Sequence, residues 1–215
     1  MDKICVIGAG GHGREIIQIL KDINRIKKEY EILGFIDDNY KLLSKQFNGY
    51  PVVGGIRESV EKYGTNIKYV LGIGDPQTKK RITEELAPNN LDWPIIIHPS
   101  VRLTEHITLE QGVVIFPGCV ISVNVKLEEF VCINSLSSVS HDSIIKKFSI
   151  INPGAFINGN VVVSEGVYLG SGTTTIHNIK IGEWSVIGAG AAVVGDIPAY
   201  STAVGVPAKV IKKHG

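Results

Sequence analysis

A chain of 215 residues with 44% apolar residues can bury a core, and its length allows one large domain or two small ones. Its 22 Lys and Arg nearly balance its 21 Asp and Glu, so no basic surface is expected for a nucleic acid. No apolar run is long enough to span a membrane, and the apolar start is too short for a signal peptide. We therefore expect a cytoplasmic protein without membrane insertion.

The three cysteines, Cys5, Cys119 and Cys132, lack the spacing of a metal site, and their odd number excludes complete disulfide pairing. Each lies among apolar neighbours, as is typical of buried, reduced thiols in a cytosol. No metal site is predicted.

The N-terminal part, to about Trp93, alternates strand-like and helix-like runs. Strands are predicted at 3–7, 32–37 and 69–74, with a helix after the first and another over 76–86. This order is typical of a small α/β domain with a parallel sheet, similar to half of a dinucleotide-binding fold.

A glycine-rich turn follows the first predicted strand. Gly8, Gly10 and Gly13 form a GxGxxG pattern before the helix, and Asp37 ends the next strand. Such glycines let a phosphate approach the free N–H groups of a helix start, and the acid can accept a ribose hydroxyl. Three interpretations of this turn are possible from the motif alone: a tight turn without a ligand, an NAD site and a nucleotide-sugar site.

From Ile97 the pattern changes to a repeat of six residues. Sixteen of seventeen positions spaced by six, from Ile97 to Val193, are Ile, Leu or Val, with Thr175 as the exception. Small residues dominate four positions after each of these from Ser137 onward. The period predicts a left-handed parallel β-helix, in which three hexapeptides make one triangular coil of about eighteen residues.

The two patterns predict an α/β domain over 1–96, a β-helix over 97–198 and a tail over 199–215. In the β-helix, the second and third residues after each ladder position form a corner. His141 and Asp142 lie at such a corner, and Gly159 and His177 follow His141 at steps of eighteen. Without further information, His141 and His177 could each be a solvated corner residue.

The run IGEWSVIGAGAAVV resembles the bacterial hexapeptide-repeat transferases. The order of GAGGHG, FIDD, GIGDPQTKKRI and GVPAK is similar to one subgroup along nearly the whole chain. That subgroup contains sialic acid O-acetyltransferases and N-acetyltransferases of nucleotide-linked 4-amino-4,6-dideoxy sugars. The resemblance implies acetyl-CoA as co-substrate and a small N-terminal domain that holds the nucleotide of the sugar. The implied substrate-binding residues are Gly10, Gly11, His12, Asp37, Asp38 and Gly74.

The resemblance also implies that His141 acts as general base, with Asp142 orienting its ring or raising its basicity. The glycine that matches Gly159 contacts coenzyme A through its backbone in such relatives. Many relatives place a second histidine, which contacts the acyl-CoA, where this chain has Ile150. Ile150 is retained as a predicted coenzyme contact, although it cannot donate a hydrogen bond.

Trimers are usual in the resembled family, and aromatic residues outside the ladder, such as Phe130 and Phe148, suggest apolar outer faces that need a partner. In a homotrimer, Gly159, Ser171 and Ala189 would line a coenzyme cleft between two subunits. N-acetylation of a nucleotide-linked amino-deoxy sugar is the predicted reaction. The alternatives are O-acetylation of a sialic acid-like sugar and a catalytically silent trimeric scaffold.

Overall fold

A computed structural model describes residues 1–214. The chain divides into two compact units: the first holds Met1–Gly74 and Thr78–His98, and the second holds Asp75–Gln77 and the chain from Pro99 onward. No helix in residues 1–214 is both long enough and apolar enough to cross a membrane.

The first unit is an α/β domain. Its strands and helices are β1 (Asp2–Ile7), α1 (Gly11–Ile26), β2 (Tyr30–Ile36), β3 (Gln46–Phe47), β4 (Tyr50–Gly54), α2 (Ile56–Tyr63), β5 (Lys68–Leu71), all but the first two residues of α3 (Pro76–Leu86), and β6 (Ile96–Ile97). Short 3-10 turns cover Gly64–Asn66 and Ala87–Asn89. The sheet order is β3-β4-β2-β1-β5, parallel except for the antiparallel β3–β4 pair.

Burial explains this sheet. Residues Ile4–Ile7 of β1, in the middle of the order, are at most 1% exposed, as expected for a strand covered on both faces. The buried side of α1 carries Ile16, Ile17 and Leu20 at helical spacing. The predicted parallel α/β domain is therefore confirmed, although β5 ends at Leu71, before the glycines of the predicted 69–74 strand.

The second unit is a three-sided prism of two-residue strands. We name each face after one of its strands. The β13 face contains β7 (Arg102–Leu103), β10 (Val120–Ile121), β13 (Ser138–Val139), β16 (Phe156–Ile157), β19 (Thr174–Thr175) and β22 (Ala192–Val193). The β14 face contains β8 (Thr108–Leu109), β11 (Lys126–Leu127), β14 (Ile144–Ile145), β17 (Val162–Val163) and β20 (Lys180–Ile181). The β15 face contains β9 (Val114–Ile115), β12 (Cys132–Ile133), β15 (Ile150–Ile151), β18 (Tyr168–Leu169), β21 (Val186–Ile187), β23 (Ser201–Val204) and β24 (Lys209–Lys213).

The aliphatic ladder fills the interior of this prism. Val139 pairs with Ile121 below and Ile157 above, and all three are at most 1% exposed. The exception to the ladder, Thr175, is equally buried, and its hydroxyl accepts the N–H of Asn158 at 3.0 Å. The predicted parallel β-helix is confirmed. The predicted tail from 199 contains β23 and β24, which extend the β15 face as an antiparallel pair.

The small position next to each corner has a hydrogen-bonding role as well as a steric one. The Ser143 hydroxyl donates to the carbonyl of Asn158 at 3.0 Å and accepts the N–H of Val161 at 3.1 Å. Ser149 makes the same two bonds one corner further, to Ser164 and Val167. Serine recurs there because its hydroxyl joins one coil to the next.

Phe130 and Phe148 do not contribute to the predicted outer apolar surface. They stack with ring centroids 5.7 Å apart along one edge, and both are buried. One group of exposed apolar side chains lies on the β13 face and its two bordering corners: Val120, Val123, Leu136, Phe156, Ile176 and Val194. Val186, Val210 and Ile211 of the β15 face are exposed as well.

Candidate functional site

One edge of the prism joins the β13 face to the β14 face and carries His141; we call it the His141 edge. The backbone aligns its coils, because Asn160 N–H donates to the carbonyl of His141 at 2.8 Å and Asn178 N–H donates to that of Gly159 at 3.1 Å. His141, Gly159 and the residue before Asn178, His177, therefore occupy equivalent corners of three successive coils, the arrangement that the period of eighteen predicts.

His141 and Asp142 form a hydrogen-bonded pair on this edge. His141 Nδ1 lies 2.8 Å from Asp142 Oδ2, and the two side chains are 60% and 52% exposed. The Asn124 side-chain amide donates to Asp142 Oδ1 at 2.9 Å from one coil below. Hydrogen bonds from Asn124 and then from His141 lower the pKa of Asp142, which holds the carboxylate in its charged form. The pair can thus support a positive charge on the imidazole.

Gly159 lies directly against the imidazole of His141. A Cβ atom at residue 159 would come within 2.5 Å of Cε1 and Nε2 of the ring. Any larger residue would displace the imidazole, so the glycine is required for the position of His141 itself. The predicted role of Gly159, a backbone contact to coenzyme A, is compatible with this requirement but separate from it.

The other predicted coenzyme contacts lie elsewhere on the prism. Ser171 and Ala189 are corner residues on the edge between the β15 and β13 faces, which we call the Ser171 edge, where Gly190 N–H donates to the carbonyl of Ser171 at 2.8 Å. The whole β13 face separates them from Gly159. Ile150 belongs to the β15 face and is 1% exposed, so it presents almost no surface to a ligand in this structure.

An open groove of about 720 Å³ lies along the β14 face between Lys146 and Ala199. It contains none of the predicted site residues. Two lysines, two glutamates and Asp196 line it, so its size alone does not mark it as the site of acyl chemistry.

The glycine-rich turn of the first unit contains two kinds of glycine. A Cβ atom on Gly13 would lie 1.9 Å from the carbonyl oxygen of Gly8, so this glycine allows α1 to pack against the turn. Gly10, Gly11 and Gly74 face open space instead, with nothing within 4 Å of a Cβ atom. Their exposed backbone leaves room for a ligand at the start of α1, where N–H groups are free.

The two acids predicted for the ribose already hold backbone N–H groups. Asp37 accepts from Ala9 and from Asn39, each at 2.9 Å, and so ties the glycine-rich turn to the end of β2. Asp38 accepts from Ile56 at 2.8 Å, at the first residue of α2. Both carboxylates lie at the carboxyl end of the parallel sheet, where α/β domains bind ligands.

His12 is the histidine of the same turn. Burial, reinforced by the positive charge of Lys79, lowers its pKa to about 4, so the ring is neutral at pH 7. Lys79 is itself only 1% exposed. The sequence contained no signal for this lysine, because a single Lys in an amphipathic helix is usually solvated.

The chain resembles known proteins in both units. Residues 3–86 match the family model of the PglD N-terminal domain. A GDP-perosamine N-acetyltransferase of Escherichia coli O157:H7 is 31% identical over 149 residues, which cover 66% of this chain. The match spans 63% of that relative's length.

Solved structures resemble the chain from end to end. The acetyltransferase domain of PglB from Neisseria gonorrhoeae has a TM-score of 0.90 at 30% identity, covering 98% of this chain and 100% of that one. The same domain has been solved in complex with acetyl coenzyme A. PerB from Caulobacter crescentus, in complex with CoA and GDP-perosamine, has a TM-score of 0.89 at 26% identity, covering 99% of this chain and 98% of that one.

Proposed function

Because this chain belongs to the hexapeptide-repeat sugar N-acetyltransferases that carry a PglD-type N-terminal domain, we propose that it moves an acetyl group from acetyl-CoA to the amino group of a nucleotide-linked amino-deoxy sugar. The observation that carries the proposal is the His141–Asp142 pair beside Gly159. An exposed histidine held by a carboxylate is the arrangement that general-base catalysis requires.

The reaction follows from the orientation of the imidazole. With Nδ1–H donating to Asp142, Nε2 carries the lone pair and takes a proton from the sugar amine as its nitrogen attacks the thioester carbonyl. A C–N bond forms and gives a tetrahedral oxyanion. Its collapse breaks the C–S bond, and the departing thiolate takes the proton from the imidazolium, which the Asp142 carboxylate stabilises until then.

The first unit is the proposed holder of the nucleotide. Gly10, Gly11 and Gly74 leave open space beside the free N–H groups of α1, and this position suits a diphosphate. His12, Asp37 and Asp38 border the same turn. PerB binds GDP-perosamine, and a 4-amino sugar on a nucleoside diphosphate is accordingly the proposed class of substrate.

A homotrimer is the proposed assembly. The β13 face carries exposed Val120 and Phe156, and it lies between the two edges that bear the predicted coenzyme contacts. Packing prisms against one another along this face would cover its apolar side chains and place Gly159 of one subunit near the Ser171 edge of the next. We place the reaction in the cytoplasm, where the buried free cysteines remain reduced.

The test is the release of free thiol from acetyl-CoA in the presence of UDP-, dTDP- and GDP-linked 4-amino sugars, with the acetylated product identified by mass spectrometry. The matched controls are the same nucleotides linked to 4-hydroxy sugars, together with free sialic acid. Thiol release only with amino sugars supports the proposal. Release with hydroxyl acceptors would replace it by O-acetylation, and no release with any acceptor would favour the silent scaffold.

A further inference from the structure

We propose that Asn124, which lies one coil below Asp142, is a positioning residue for acetyl transfer. It holds the Asp142 carboxylate so that one oxygen always faces Nδ1 of His141. The inference rests on the proposed function, since it gives Asn124 its role through the base of that reaction.

The backbone brings the two side chains into contact. Asn124 and Asp142 occupy the same corner position eighteen residues apart, with left-handed φ values of 56° and 59°. Asp142 N–H donates to the carbonyl of Val123 at 3.1 Å, which aligns the two corners. Because the corners repeat, both side chains leave the backbone in the same direction, and the Asn124 amide reaches Oδ1 at 2.9 Å.

The two oxygens of Asp142 are thereby assigned to two partners. Oδ1 accepts from Asn124 and Oδ2 lies 2.8 Å from His141 Nδ1. Asp142 is half exposed, so without Asn124 its carboxylate could rotate and exchange either partner for water. The imidazole would then lose the acceptor that keeps the proton on Nδ1 and the lone pair on Nε2.

Two asparagines on the same edge form a hydrogen-bonded pair that can be compared with the Asn124–Asp142 pair. Asn160 donates to Asn178 at 2.6 Å, and both residues have φ values of 58°. That pair joins two coils but includes no carboxylate or histidine. If Asn124 only joined two coils, loss of its side chain should affect kcat no more than loss of the Asn160–Asn178 hydrogen bond. If Asn124 positions the base, only the loss of Asn124 should lower kcat.

Few charges lie near Asp142. Hydrogen bonds from Asn124 and then from His141 lower its pKa. Glu105 and His106 lie one coil below Asn124, and His177 lies two coils above His141. Across the described chain, no lysine or arginine is hydrogen-bonded or ion-paired to Asp142. Asn124 and His141 are thus the groups that control this carboxylate.

Asn124→Gly removes the amide and keeps the left-handed backbone without strain. We expect kcat to fall roughly tenfold while the KM for acetyl-CoA changes less than about twofold. Asn178→Gly, which breaks the Asn160–Asn178 hydrogen bond, is expected to leave kcat unchanged. In an Asp142→Gly background, the further Asn124→Gly substitution should have no effect on kcat, because the carboxylate that it positions is absent.

The ¹⁵N chemical shifts of the His141 ring give a readout that does not depend on turnover. The wild type should show the proton on Nδ1, and Asn124→Gly should show a mixture of the two tautomers. An unchanged ring spectrum in Asn124→Gly, or an equal loss of kcat in the Asp142→Gly background, would overturn the positioning role. If no amino sugar is acetylated by the wild type but the tautomer still changes, the proposed function fails: Asn124 then orients the carboxylate, and its role in acetyl transfer is overturned.

Discussion

The imidazole of His141 lies against Gly159 of the next coil, so closely that a Cβ atom at residue 159 would sit 2.5 Å from Nε2. The same corner one and two coils further holds His177 and Gly195. Gly195 faces open space, with nothing within 4 Å of an added Cβ atom. A methyl group would therefore collide with the imidazole at Gly159 but with nothing at Gly195, although the two glycines share a position in the repeat.

Gly159→Ala should displace the imidazole and lower kcat by about 10²-fold, near the lower limit of what a general base contributes. Thermal stability should change little, because the ring of an exposed histidine can move away. Gly195→Ala is the matched control and should retain wild-type kcat and stability. Equal kcat in the two variants would show that the methyl group at residue 159 does not disturb the base.

Gly10→Ala should weaken binding of a sugar nucleotide by at least about tenfold without affecting folding, because its methyl group would occupy the open space beside α1. Acetyl-CoA binding should stay unchanged. Calorimetry with each ligand separately measures both effects. Gly13→Ala should instead destabilise the fold by about 1–3 kcal/mol, since its methyl group meets the Gly8 carbonyl. Equal losses for both ligands in Gly10→Ala would contradict the separate nucleotide site.

Much of the fold was predictable because a six-residue period places the same residue type inward in every coil. Val139 and its ladder neighbours needed no tertiary information, and both the β-helix and the subgroup of acetyltransferases are confirmed. The catalytic roles of His141 and Asp142 remain predictions. Their contact at 2.8 Å follows from adjacency at one corner, which the sequence did show.

Other features of the structure arise from contacts between side chains of neighbouring coils, which short sequence motifs do not reveal. Asn124 could have been found from its position eighteen residues before Asp142. Phe130 and Phe148 are predicted to be exposed, but they are buried because residues eighteen apart stack on each other and shield each other from water. The sequence predicts Asp37 as a ligand-binding acid, but its hydrogen bond from Ala9 depends on the path of the chain after β2, which the sequence does not show.

The neutral state of His12 predicts a specific loss of stability in acid. Its pKa is lowered from 6.5 to about 4 in the folded chain, chiefly by burial. Between these values the unfolded chain binds a proton that the folded chain does not, so the free energy of unfolding falls as the pH drops through this window. The His12 contribution to this loss is on the order of 3 kcal/mol by about pH 4, and above about pH 6.5 it is absent.

Urea unfolding of the wild type and His12→Asn, followed from neutral pH to about pH 4.5, measures this contribution. The variant should lose less stability across the window than the wild type. Parallel pH dependences would contradict a neutral, buried His12.

The apolar β13 face predicts the oligomeric state. Phe156 is 48% exposed in the single chain, and Phe156→Glu would place a charge in the proposed contact between subunits. Light scattering should report three chains for the wild type and a smaller species for the variant, with acetyl-CoA binding lost in parallel. Ile26→Glu changes an equally apolar, exposed residue at the end of α1 and should leave the trimer intact. A wild-type monomer with full activity would exclude a shared site.

The most direct test of the account is kcat for His141→Ala on an amino sugar nucleotide that the wild type acetylates. The substitution removes the base and leaves the buried neighbours Val139 and Ser143 in place. We predict that kcat falls by about 10²–10⁴-fold while acetyl-CoA affinity stays within a few-fold. A variant that keeps more than about a third of the wild-type kcat, far above that range, would contradict the assignment of His141 as the base.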